Sequence, residues 1–400
     1  MPGFELFSDL ERKEVMDVLE TGVLMRYNFD GPRKNIWKTK ELEQAISEKI
    51  GAKYVQVTSS GTTALITAMN ALGIGAGDEI ILPTFTFVAS FEAVLAVGAI
   101  PVLVDIDESL TLSPDAIKKA ITPKTKAIMP VHMCGAMAQM DEILSIAKKH
   151  TILVLEDACQ AIGATYKGKY VGTLGIMGAY SFDYVKTVTC GEGGAVFTND
   201  EKLYKNSDQF TDHGHDHVGN DRGAESHPYI GLNYRISELN AAVGLAQWRR
   251  LDEFLAIQRK NHSYIKNELA KIDGVSFRKV PDESGDICSH LSIILPSEEL
   301  TREVSSQFKE AGIGGTFYWF DNNWHYIRKW EHLKNIQTLA PLYQEHKDAL
   351  PDYENTDYSK SDAIISRTIS IAISMAWTEE QLQNHTQNLK EVLEKVLVPA

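Results

Sequence analysis

The sequence predicts an α/β fold: a mixed, mostly parallel sheet sandwiched by helices, followed by a smaller C-terminal α+β domain. Three observations carry this. Short apolar runs alternate with helix-period stretches from about residue 40 to residue 200, the pattern of strands joined by crossover helices. Short strands and charged helices resume after about residue 248. Finally, 400 residues are more than one core usually holds. The division this suggests is a large domain over residues 1–248 and a small one over 249–400.

Taken in order, the strand candidates are YVQVTS (54–59), EIILPTF (79–85), IPVLVDID (100–107), KAIMPVHM (126–133), ILVLEDA (152–158), GAYSFDY (178–184) and GAVFTND (194–200). Several are rich in Val and Ile, as strands covered on both faces require. Between them, TALITAMNALG (63–73) puts Leu65, Ala68, Met69 and Leu72 on one helical face and stops at Gly73. SFEAVLAVG and SPDAIKKAI behave similarly. The polar stretch TDHGHDHVGNDRGAESHPYIG (211–231) reads as a long loop, and loops of that length are usually functional or disordered. A helix is expected from about Ser237 to Ala270. ISIAISMAW (369–377) reads as a strand and turn, and residues 378–397 as an amphipathic helix capped by Thr378 with an acidic first turn.

Composition narrows the function classes. Forty Lys+Arg against 54 Asp+Glu leave a formal charge of -14, which disfavours nucleic acid and anionic membrane surfaces as partners. Cys134, Cys159, Cys190 and Cys288 are scattered without CxxC pairing, which argues against a zinc site and a disulfide scaffold and fits a reducing cytoplasm. The N-terminal stretch lacks the basic and apolar regions of a signal peptide, and no window approaches about eighteen uninterrupted apolar residues. Neither export nor a membrane span is expected.

Three constellations point to chemistry. Ser59-Ser60-Gly61-Thr62-Thr63 carries a strand end through a glycine into a helix, where unpaired N–H groups and the helix dipole attract an anion. Asp157 ends the run ILVLEDA, with Gln160 three residues on; a carboxylate at a parallel strand's C-terminal end sits where open α/β sheets hold ligands. There it could pair with a protonated pyridine nitrogen, whereas Glu156 points to the opposite side. Lys186, in SFDYVKTVTCGEGG, follows a strand and precedes a glycine-rich turn; a lysine desolvated beside a strand end can form a Schiff base with a carbonyl. Taken singly, a plain helix cap, a capping aspartate and a solvated lysine explain these residues as well. Their order along one chain gives them weight.

With SSGTTAL, AGDEIILPTFTFVAS, PVLVDID, LEDACQAIGA, GAYSFDYVKTVTCGEGGAVFTND and GLNYRISELNAAVGLAQ, the chain resembles the DegT/DnrJ/EryC1/StrS family of sugar aminotransferases. The likeness continues more faintly into ISIAISMAWTEEQ. It implies a fold-type-I aminotransferase using pyridoxal 5'-phosphate, a homodimer with active sites shared between subunits. Lys186 would form the Schiff base and shuttle the proton, and Asp157 would pair with the pyridine nitrogen. Gln160 would lie near the ring and Phe87 would stack on it. Gly61, Thr62 and Ser181 would hold the phosphate, reached from the neighbouring subunit by Asn233, with Arg235 its companion. A subgroup carries histidine at the lysine position and dehydrates sugars; Lys186 favours amination.

The implied substrates are L-glutamate as donor and a sugar carbonyl as acceptor. FYWFDNNWHYIRKW (317–330) departs from the family's Pro-containing, His-bearing loop, so an unusual substrate pocket is expected. The sequence as a whole resembles enzymes that aminate the C8 aldehyde of oxidised Kdo (3-deoxy-manno-octulosonate), a lipopolysaccharide sugar acid, and that resemblance implies this acceptor. Its carboxylate would need a cation, for which Arg26, Arg222, Arg328 and Lys329 are candidates, with His213 from the long loop as a further contact. A UDP-, GDP- or dTDP-linked keto sugar is the alternative, and a non-catalytic cofactor-binding regulator the alternative of another class.

Other signals are set aside. His213, His215 and His217, with Asp212 and Asp216, could suggest a metal, but His-rich tracts are weakly specific and no metal is expected. The glycines of 73–78 fall short of a dinucleotide fingerprint and read as a helix stop and turn. Phe317, Tyr318, Trp319, Phe320, Trp324 and Tyr326 read as a pocket wall or dimer core rather than a base-stacking platform. Cys190 is expected close to the cofactor without being a nucleophile.

Overall fold

The computed structural model describes residues 2–219 and 221–397. Each apolar run forms a strand: β1 (Tyr54–Thr58), β2 (Glu79–Pro83), β3 (Ile100–Val104), β4 (Thr125–Ile128) and β5 (Leu153–Asp157), then, after a small hairpin of β6 (Thr165–Tyr166) and β7 (Lys169–Tyr170), β8 (Met177–Ser181) and β9 (Gly194–Thr198). Seven of them build one sheet in the order β1-β9-β8-β5-β4-β2-β3. The pairs among β2, β3, β4, β5 and β8 are parallel, while β9 pairs antiparallel with both β8 and β1. One strand therefore runs against the other six. The C-terminal ends of β1, β2, β5 and β8 share one edge of the sheet, with the start of β9 among them.

Both faces are covered. On one side Ile46, Val57, Ile128, Ile143 and Val154 pack together; on the other, Leu65, Met69, Ile80, Leu82 and Phe91 do so. Within β5 the alternation of side chains separates Asp157 from Glu156. Glu156 is fully buried and accepts from the main-chain N–H groups of Gly172, Leu174 and Gly175. It also accepts from His132 Nε2 at 3.1 Å, because His132 Nδ1 is occupied by the Ala138 N–H.

The helix expected over 237–270 is two helices, Glu238–Arg249 and Leu251–Leu269. Arg250, at φ -102° and ψ 5°, breaks the run without a proline or glycine to announce it. The second helix begins in the large-sheet core with Leu251 and Leu255 and ends in a separate core with Ile265 and Leu269. That core lies against a four-stranded sheet, β10 (Ser276–Phe277), β11 (His290–Ile294), β12 (Thr316–Tyr318) and β13 (Thr368–Ala372), ordered β10-β11-β13-β12 with antiparallel pairs. The segment from Trp319 to Ile365 returns to the large sheet: Trp319, Tyr326, Trp330, Tyr353 and Ile365 are buried with Phe85 and Phe91. No helix among the described residues is long and apolar enough to cross a membrane.

Candidate active site

The shared strand-end edge begins with an anion cradle. Leaving β1, Ser60 caps the helix Gly61–Ala71, accepting from Thr63 N–H at 3.1 Å while Thr63 Oγ1 accepts from Ser60 N–H at 2.9 Å. The N–H groups of Gly61 and Thr62 belong to the first turn, where helical geometry supplies no partner. Gly61 is required by its neighbours: a Cβ there would stand 2.6 Å from Ser181 Cβ. Gly194, at the start of β9, is required for the same reason, its Cβ falling 2.2 Å from Ser60 O and 2.8 Å from Gly61 N. Ser181 ends β8 beside this glycine pair, its hydroxyl holding only a 3.4 Å contact from Asp183 N–H.

Next along the edge stands Asp157, 4% exposed. Its main chain is fixed on both sides, N–H to Pro130 O at 2.9 Å and C=O from His132 N–H at 3.0 Å. Cys159 N–H donates to Oδ1 at 3.1 Å, and Ser90 Oγ lies 2.7 Å from Oδ2. Ser90 Oγ is also 2.7 Å from Thr86 Oγ1. Ser90 has one proton, and the ionised carboxylate can only accept, so that proton goes to Asp157 and Thr86 donates to Ser90. Ser90 is held in place by the first turn of the helix Val88–Ala96, which Phe87 precedes. Gln160 accepts the Cys134 N–H at 3.3 Å through Oε1.

Lys186 lies in the loop after β8, its main chain tied by N–H to Asp183 O at 3.0 Å and by C=O from Gly3 N–H at 2.9 Å. Among the described residues its half-buried ammonium has no ion pair, and it lies 5.9 Å from the Phe87 ring centroid. Phe87 in turn stacks on Trp324 at 5.8 Å and 8°. The pairing is set by main chain: Thr86 N–H donates to His325 O at 3.0 Å and Val88 N–H to Trp324 O at 2.9 Å. His325 Nδ1 meets Asn322 Oδ1 at 2.9 Å, and its ring stands 5.4 Å from Phe87. Burial, reinforced by the Lys186 charge, pulls the His325 pKa down to about 3, and burial does the same to His290. Both imidazoles are neutral near pH 7 and add no charge beside the amine.

An amine, a buried carboxylate, an anion cradle and an aromatic face thus stand on one connected set of contacts. The cradle reaches Asp157 through Cys159, whose Sγ would lie 3.1 Å from a Gly61 Cβ. Asp157 reaches Lys186 through Ser90 and Phe87 on a single helix start. Such a group can hold an anionic, flat, electron-poor cofactor and offer it an amine.

The residues expected to meet a substrate carboxylate are placed otherwise. Arg26, 4% exposed, pairs with Glu43 at 2.7 Å and donates to Gln56 at 3.1 Å. Arg222 binds Asp212 bidentately at 2.8 and 2.9 Å, Arg328 spans both oxygens of Asp362, and Lys329 pairs with Asp321 at 3.3 Å. Each of the four cations already pairs with a carboxylate of this chain. His213 is exposed at φ 57°, with its C=O taken by His227 Nδ1. Arg235 is drawn to Asp212, while Asn233 is exposed and accepts only the Arg235 N–H at 3.4 Å. His217, from the His-rich run, is clamped between Asp208 at 2.6 Å and Asp212 at 2.9 Å. Cys190 is buried, its thiol directed to Glu192 O.

Sequence reasoning missed Ser90, Thr86 and His325, and gave Trp324 only as part of a pocket wall or dimer core. His325 was in view inside FYWFDNNWHYIRKW, yet only its main-chain pairing with Thr86 shows that this segment lines the site. Ser90 carried a weaker signal: it follows Phe87 by three residues, so a helix starting there turns both toward one side.

The chain matches the model of the DegT/DnrJ/EryC1/StrS aminotransferase family over residues 9–390. It is 43% identical over 233 residues to the GDP-perosamine synthase of Caulobacter vibrioides, covering 58% of this chain and 62% of that protein's length. It is 39% identical to the UDP-2-acetamido-2-deoxy-3-oxo-D-glucuronate aminotransferase of Pseudomonas aeruginosa, covering 77% of this chain and 84% of that one. NtdA of Bacillus subtilis, solved with its bound cofactor PMP, superposes with a TM-score of 0.79 at 26% identity, covering 98% of this chain and 84% of that chain.

Proposed function

The chain belongs to the DegT/DnrJ/EryC1/StrS aminotransferase family, and we propose that it is a fold-type-I transaminase dependent on pyridoxal phosphate that converts a sugar carbonyl to an amino sugar with L-glutamate as donor. The observation that carries this is the Lys186 amine, without an ion pair among the described residues, beside the Phe87 ring, with Ser90 joining the same helix start to Asp157.

The residues fit the cofactor. The glycine-lined gap between Gly61, Gly194 and Ser181, which a Cβ would fill, suits a phosphate held by the N–H groups of Gly61 and Thr62 and by Ser181 Oγ. Asp157 would pair with the pyridine nitrogen, Phe87 would cover the ring and Gln160 would border it. Pyridoxal phosphate, when bound, supplies a carbonyl to carry the amino group and a ring that accepts electron density from the donor's α-carbon. Lys186 Nζ, beside the Phe87 ring, would be the group that moves the donor's proton once the cofactor is held. The neutral His325 and the Trp324 face border the space above Phe87, where the sugar enters. Asn233 reaches the phosphate from the neighbouring subunit of a homodimer, with Arg235 beside it. The apolar surface around Asn233 supports this, Ile230 at 94% exposure and Tyr229 at 60% having no cover within the chain.

For the acceptor, the first reading is the C8 aldehyde of oxidised Kdo, an intermediate of lipopolysaccharide synthesis, and it rests on the resemblance of the sequence as a whole. A second reading, a nucleotide-linked keto sugar, draws support from the perosamine and glucuronate relatives and from the carboxylates that already occupy Arg26, Arg222 and Arg328. Four free cysteines are in keeping with a reducing cytoplasm. The test gives the holoenzyme L-glutamate and, in parallel, oxidised Kdo and UDP-, GDP- and dTDP-linked keto sugars. Amine formation at C8 of Kdo alone supports the first reading, turnover of nucleotide sugars alone the second, and no amino transfer from any donor overturns both.

A further inference from the structure

Away from the Lys186 cleft, the structure brings together three residues that the sequence keeps apart. His262 lies on the helix Leu251–Leu269, and Asp286 and Cys288 lie on the segment leading into β11. All three are buried, at 8%, 6% and 8% exposure. One ligand atom from each stands within 4.8 Å of the others. The His262 imidazole has no hydrogen bond or ion pair among the described residues. Asp286 accepts one N–H, from Cys288 at 2.7 Å, and forms no ion pair among the described residues. The cations nearby are otherwise engaged: Lys266 with Glu283 at 3.5 Å, Arg259 with the Asp286 main-chain O at 3.1 Å, and Arg278 with the main-chain oxygens of Met133 and Ser109. The imidazole and the carboxylate, which holds one hydrogen bond, line the same small cavity, where a cation would pair them.

We propose that His262, Asp286 and Cys288 bind a thiophilic divalent cation of the zinc class. Nitrogen, sulfur and carboxylate oxygen are the donors such an ion takes. Two anionic ligands balance its charge, and the cavity of about 130 Å³ that these residues line has room for a water as fourth ligand. Ligands of tetrahedral zinc stand about 3.5 Å apart, so side-chain rotation of about 1 Å closes the set. On binding, the Cys288 S–H bond breaks, the sulfur bonds to the metal, and the proton leaves to solvent with the displaced metal waters. The site would tie the helix to the segment that docks on the large domain, where Ile287 N–H reaches Gly135 O at 3.3 Å. The scattered cysteines had argued against zinc because the expected spacing is local, whereas these ligands come from two elements.

The test is cobalt titration of the metal-stripped holoenzyme, followed by zinc back-titration. The expected result is one cobalt per chain, with a near-ultraviolet thiolate-to-cobalt band and visible bands of tetrahedral cobalt, displaced by one equivalent of zinc with release of about one proton. Cys288→Ser should lose the thiolate band, and Cys190→Ser should keep it. Absence of the thiolate band in the unsubstituted protein overturns the proposal without relying on any variant's fold. So does a band that survives Cys288→Ser.

Discussion

Ser90 Oγ lies 2.7 Å from Asp157 Oδ2 and takes its own hydrogen bond from Thr86, so the carboxylate at the end of β5 is held by the start of the helix that follows β2. The proposed partner of the cofactor nitrogen is therefore oriented by a different strand's helix. Replacing Asp157 by Asn should lower the rate of amino transfer by about 10²–10³-fold, the usual cost of losing a preorganised charge. Ser90→Ala, which removes one hydrogen bond and leaves the charge, should cost about tenfold. Single-turnover rates, normalised to cofactor content, check both; a Ser90→Ala loss equal to that of Asp157→Asn would contradict the ranking.

Gly194→Ala should damage the phosphate cradle from behind. Its Cβ would meet Ser60 O at 2.2 Å, and main-chain atoms cannot rotate away as a side chain can. A destabilisation of about 1–3 kcal/mol is expected, with weaker cofactor retention on dialysis. Thermal melting and cofactor absorbance after dialysis measure the two effects.

The fold was legible because the buried strands are continuous apolar runs and each helix between them carries a one-sided stripe. Asp157 could be singled out because it ends β5, and Gly61 and Lys186 because each follows a strand by a few residues, positions that periodicity locates. The reversed direction of β9 was not, since GAVFTND is as apolar as its parallel neighbours and strand direction leaves no mark on composition. Neither were the arginine partners: Arg328 meets Asp362 and Arg222 meets Asp212 through tertiary contacts that charge counting cannot pair. Trp324 and His325 join Phe87 across more than two hundred residues, by main-chain hydrogen bonds that any sequence could make.

Trp324→Ala should separate the two halves of the reaction. The indole is 57% exposed and stacked on Phe87, on the side proposed for the sugar. The KM for the sugar acceptor should rise about tenfold, the worth of one lost aromatic contact, while conversion of the cofactor by L-glutamate is unchanged. Stopped-flow absorbance of each half-reaction reads this directly. An equal loss in both halves would place Trp324 at the cofactor instead.

His217 should give stability a pH dependence. Burial opposes its charge, but hydrogen bonds to Asp208 and Asp212 outweigh that and raise its pKa to about 9. Because the folded value lies above the ordinary 6.5, the contribution is complete below pH 6.5 and fades as pH rises through 9, by about 3 kcal/mol at most and less once solvent screening is counted. Melting temperatures of the protein and of His217→Gln should differ most at pH 6 and converge by about pH 10. A gap that widens with pH would contradict the assignment.

The central claim is that Lys186 is the amine that engages the cofactor. Borohydride reduction of the holoenzyme, followed by peptide mass analysis, tests it most directly. The account predicts cofactor fixed on the peptide containing Lys186, no fixation in Lys186→Ala, and no amino transfer by that variant. Fixation on another lysine, or a Lys186→Ala protein that still transfers amino groups at an undiminished rate, would contradict it.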